Sequence, residues 1–166
     1  MNDQTRNPTH SAGADAPPGQ ASFQIEKIYV KDLSLEVPNA PKIFMEMENP
    51  QLEIQVRNDG MQFTDELYEV TVTVTVTARA GEKTVFLAEV AQAGIFSMRG
   101  IAAEDLDPLL GIGCPTILYP YVREAISDLV TRAGFPAVTL APVSFEQIYM
   151  ERRQQAAAEP KIELAN

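Results

Sequence analysis

Residues 68–78, YEVTVTVTVTA, decide the fold. Tyr68, Val70, Val72, Val74, Val76 and Ala78 alternate without a break with Glu69, Thr71, Thr73, Thr75 and Thr77. Helical spacing would scatter the valines around every side. A period of two gathers them on one face of a strand, and both residue sets favour strands. Ala80-Gly81-Glu82 follows as a turn into residues 83–96, so the two segments form an antiparallel hairpin.

Upstream, Leu33, Leu35 and Val37 alternate with Asp32, Ser34 and Glu36, which marks a strand over residues 23–37. The stretch 27–31 breaks phase, so a bulge is expected there. A second strand is expected over about residues 42–57. Ile43, Met45 and Met47 hold one phase and Leu52, Ile54 and Val56 the other, with a kink at Asn49-Pro50. Downstream the period becomes helical. Leu118, Val122, Ala125, Leu129 and Ala133 recur at three- and four-residue spacing from Thr116 on, Pro120 falls in the first turn or so, and Gly134 with Phe135-Pro136 ends the helix. A last helix starts at Ser144, which forms a capping box with Gln147, while Val143 and Ile148 make a staple. Strands followed by helices predict an α+β fold: a four-stranded antiparallel sheet with two principal C-terminal helices. Residues 1–21 and 156–166 read as disordered tails around one domain, 22–155.

The chain has 166 residues and a formal net charge of −10, a field that repels nucleic acid and anionic membrane and attracts basic partners. It contains no apolar run of membrane-spanning length and no signal-like apolar stretch at its start, and one cysteine suits a reducing compartment, so the cytoplasm is expected. The single histidine, His10, falls in the N-terminal tail, which removes Ser-His and Cys-His dyads from the domain. Gly111-Ile112-Gly113-Cys114 is neither a dinucleotide fingerprint nor a P-loop. Cys114, before a helix, reads as a small buried residue, with an activated thiol as the alternative. Glu104, Asp105 and Asp107 read as a solvated loop. Glu46, Glu48 and Glu53 give the second strand an acidic face, and Met45 with Met47 reads as core or as adaptable contact surface. No cofactor, metal or catalytic residue is expected. Long strands with few partners leave sheet edges to cover, and self-association through those edges or the Leu118 helix would cover them.

Four stretches resemble the SecB family of bacterial export chaperones: FQIEKIYVKDLSLEVPNAP (23–41), TVTVTARAGEKTVFLAEVAQAGIFSMRGI (73–101), GIGCPTILYPYVRE (111–124) and FPAVTLAPVSFEQIYM (135–150). The resemblance implies a dimer of dimers that holds unfolded precursor proteins without ATP and delivers them to the motor SecA. In such an assembly Leu118, Val122, Ala125 and Leu129 would meet between sheets. SecA would dock on Asp32 and Glu36, on the polar side of the first strand, and on Leu87 and Glu89, matched through the family's fourth strand. Unfolded clients would lie between Leu52, Ile54 and Val56 on the second strand and Phe145, Ile148 and Tyr149 on the last helix, a pair of apolar faces that could also close as core. A SecB-like chaperone dedicated to one partner, such as an antitoxin, and a thiol enzyme using Cys114 are the alternatives.

Overall fold

A computed structural model describes residues 21–46 and 49–158. The expectations placed on residues 1–20 and 159–166, His10 among them, and on Met47 and Glu48 lie outside the described residues. Four strands, β1 (Ser22–Glu36), β2 (Gln51–Gln62), β3 (Leu67–Ala80) and β4 (Lys83–Arg99), form one antiparallel sheet in the order β1-β4-β3-β2. The valines of β3 all lie on one face and are fully buried, while its threonines share the other face. Gly81, with φ of +59°, makes the hairpin turn where a side chain would be strained.

The expected bulge in β1 is two bulges, between Ile25 and Lys27 and between Val30 and Asp32. Each adds one residue and so restores the phase. As a result Phe23, Ile25, Ile28, Val30, Leu33 and Leu35 all stand opposite the inward residues of β4, from Met98 to Ala88. The second strand is shorter at its start than its sequence suggested. Residues 42–44 form a 3-10 turn, Lys42–Phe44, in which Ile43 is buried while Met45 projects into solvent. So short an alternation next to Pro41 did not specify a strand over residues 43–46. β2 instead begins after Pro50 and continues to Gln62, with Leu52, Ile54 and Val56 opposite Ala78, Val76 and Val74.

The helical half covers the inner face. Helix α1 (Ala103–Pro108) passes through a π-helical turn (Leu109–Gly113) into α2 (Cys114–Arg132). The expected acidic loop is thus α1, with Glu104 and Asp105 in its first turn, where the helix dipole favours them. α2 starts earlier than expected, with Pro115 in its first turn, so Pro120 lies inside the helix on an exposed side. Leu118, Val122, Ile126 and Val130 point at the sheet and are fully buried against β3 and β4. Gly94 permits this approach: a Cβ there would stand 2.8 Å from the Phe96 ring and 3.0 Å from Leu118. α2 ends as expected, with Gly134 at φ +89°, its N–H donating to the Thr131 carbonyl and that of Phe135 to Val130. An irregular connection leads to α3 (Phe145–Ala158), capped by Ser144, whose Oγ accepts the Gln147 N–H at 3.2 Å. α3 runs three residues past the expected end of the domain at 155.

Candidate functional site

Leu52 and Ile54 are on the inner side of β2, where α2 does not reach, and remain 45% and 43% exposed. Beside them runs the irregular connection after α2, from Phe135 to Thr139, and the 3-10 turn approaches from the third side. Together they enclose a groove of about 560 Å³. Its floor is Ala80, Val85 and Phe86, and its walls carry Ile43, Leu52, Ile54, Phe135, Pro136 and Val138. Phe135 stacks on Phe44 and lies tilted against Phe86, at centroid distances of 5.2 and 5.0 Å, so the aromatic wall is preassembled. The charge on the rim is Glu46, whose carboxylate meets the Lys83 ammonium at 2.6 Å. Such a groove offers area without direction, and so suits varied apolar side chains.

The structure does not bring the six expected groove residues together. Leu52 and Ile54 line the groove. Val56 is partly buried against the core, and Phe145 is 3% exposed, edge-on to Tyr119 and part of the core. Ile148 also packs on the core, while Tyr149 lies against Gly111 beside a separate, polar hollow with Asn58, Arg152 and Arg153. The Tyr149 hydroxyl donates to Asp107 at 2.6 Å, which raises its pKa. The cause is placement: α3 meets the C-terminal half of β2, and the connection before it lies along the N-terminal half. Residues 135–139 were missed because they follow a helix stop. Their signal was the alternation of buried Val138 and Leu140 with exposed Ala137 and Thr139.

Asp32, Glu36, Leu87 and Glu89 do share one face, the outer side of β1 and β4. Asp32 stands opposite Ala91, Glu36 opposite Leu87, and Ser34 opposite Glu89. Thr75, across from Glu89 on β3, donates its hydroxyl to Glu89 Oε2 at 2.6 Å and fixes that carboxylate. Farther along the same face, Glu69 accepts from Lys31 Nζ at 2.7 Å and from the Tyr29 hydroxyl. Those bonds, Lys31's first, hold the Glu69 carboxyl below its ordinary pKa. The bond to Glu69, followed by burial, pushes Tyr29 up to about 12. Glu46 and Glu53 do not form a common acidic face, since Glu46 pairs with Lys83 and Glu53 is opposite Thr77.

The stripe expected at a subunit interface is turned inward. Leu118 and Val122 are fully buried within this chain, and Ala125 and Leu129 are half-buried against the same core, because the valine-rich inner sheet face draws them. Exposed apolar side chains on the elements that could meet a partner include Ile25 at 46%, Val30 at 49% and Leu33 at 46% on edge strand β1, and Tyr121 on α2. Cys114 is wholly buried, and desolvation pushes its thiol to about 12, so no thiolate forms near neutral pH. Among the described residues no group of three acidic, histidine or cysteine side chains could hold a metal, and no helix is long and apolar enough to cross a membrane.

An α+β chain with a preassembled apolar groove and carboxylates across its outer sheet face has the surfaces of a binding protein. The family model described as preprotein translocase subunit SecB matches residues 16–156. The protein-export protein SecB of Chromobacterium violaceum is 59% identical over 138 residues, 83% of this chain and 92% of that protein. That of Dechloromonas aromatica is 57% identical over 141 residues, 85% of this chain and 93% of its own. Among solved structures, a Mycobacterium tuberculosis SecB-like chaperone in complex with an antitoxin peptide matches at TM-score 0.56 and 25% identity, covering 74% of this chain and 91% of that one. This chain belongs to the SecB family of protein-export chaperones.

Proposed function

We propose that this protein holds unfolded precursor proteins in the cytoplasm, in the groove of Leu52, Ile54 and Phe135, and passes them to SecA. The observation that carries this reading is the groove itself, a concave apolar surface left open beside a closed core. A buried client side chain contributes roughly 1.5–3 kcal/mol, and several grooves acting on one chain multiply affinity through avidity. Folded proteins hide such side chains and are passed over. No nucleotide is required, because holding by apolar contact runs to equilibrium.

SecA docks on Asp32, Glu36, Leu87 and Glu89 in this reading. Opposite charge speeds such an encounter and makes it salt-sensitive. The subunits form a dimer of dimers. Exposed Ile25, Val30 and Leu33 give β1 an apolar edge that a second copy would cover, and Tyr121, with Ala125 and Leu129 at its margin, offers α2 a partner face. Denatured precursor diluted into buffer without nucleotide should stay soluble in the presence of this protein. Protection of several unrelated precursors is expected. Protection of a single client would point to a dedicated chaperone, like the antitoxin-peptide binder, and no protection at all would end the reading.

A further inference from the structure

One side of the groove is formed by a short segment outside both sheet and helices. Between Val37 and Glu46 the chain folds on itself, with the Ile43 N–H donating to the Asn39 carbonyl at 3.0 Å and that of Met45 to Lys42 at 2.9 Å. Ile43 points inward and is buried. The segment is tied to the β3–β4 hairpin near both of its ends. Asn39 Nδ2 donates to the Thr84 carbonyl at 2.9 Å, and Glu46 pairs with Lys83 at 2.6 Å.

We propose that residues 38–46 are a strap closing one side of the groove, and that the Glu46–Lys83 pair is its latch. This rests on the groove's being the client site. The two side chains are 50% and 59% exposed, so salt and water weaken their attraction. A weak tether suits this place. It keeps Ile43 in the wall when the groove is empty, yet yields when a bulky client segment enters. The charge pair therefore tunes affinity for clients that themselves carry no charge.

Four full-length proteins test this: the wild type, Lys83→Glu, Glu46→Lys and the charge-swapped double variant. The probe is a neutral apolar peptide, on which the changed net charge exerts no direct force. Amide hydrogen exchange at Ile43, Phe44 and Met45 is followed without peptide. Each single variant places like charges together, so exchange should quicken and peptide affinity should fall about two- to fivefold. The double variant should recover both. A single variant with wild-type exchange, or a swap that recovers neither readout, overturns the latch. Ile54→Asp serves as the separate control on the groove. If peptide binding survives it, the client-site reading fails while the exchange rates still decide the latch.

Discussion

Thr75 shows how a single side chain can serve the outer face. A strand of alternating valine and threonine needs the threonines only for strand preference, yet Thr75 holds the Glu89 carboxylate at 2.6 Å. Thr75→Val is expected to weaken SecA binding about two- to tenfold, the worth of one hydrogen bond, while Thr75→Ser keeps it. Equal losses in both variants, measured by calorimetry, would assign the effect to shape. Glu69 behaves differently, since Lys31 and Tyr29 occupy it. Its folded pKa is depressed, so its contribution to stability is in place above the ordinary carboxylate value of about 4.3 and is lost as pH falls through the folded value. Tyr29 carries the opposite sign: its contribution is in place below about pH 10 and fades as pH rises toward about 12. In Lys31→Met the Glu69 carboxyl should titrate higher, and less stability should be lost as the pH falls below about 4.3. An unmoved Glu69 titration by NMR would contradict this.

At the scale of elements, legibility followed the length of the periodic signal. The eleven alternating residues at 68–78 specified β3, and the Gly134-Phe135-Pro136 stop specified the end of α2. Residues 43–46 did not make a strand, because Pro41 precedes them and Ile43 gains more by turning into the core. Which side of α2 faces the sheet was equally invisible. A stripe reads the same whether it meets its own sheet or a partner, and the inner valines decided it. Leu118→Ala should therefore cost about 2–5 kcal/mol in denaturant unfolding, an intrachain core effect. A smaller loss confined to assembly would return Leu118 to the interface. The docking of α3 depends on Gly111, where a Cβ would lie 2.6 Å from the Tyr149 ring. Gly111→Ala should loosen α3, seen as faster amide exchange beyond Ser144, while the exchange of β3 is unchanged. Uniform acceleration throughout would mean that α3 is integral to global folding.

For the whole molecule, the candidate site was legible in part. The β2 half of the groove could be read from alternation, and the acidic outer face from the polar side of β1. The opposite groove wall could not be read, because it depends on how far an irregular connection travels before α3 begins. The apolar edge of β1 gives the predicted assembly its physical reason. Light scattering should return about four times the 18.2 kDa subunit mass, and Leu33→Glu should lower it. A monomer at micromolar concentration would remove the avidity argument. The most direct test of the central claim is the affinity for a denatured precursor after Leu52→Asp with Ile54→Asp. The groove account predicts a loss of at least about tenfold, with secondary structure and assembled mass unchanged. Full affinity in that folded double variant would show that clients are held elsewhere, and unfolding of the variant would show that both side chains are core.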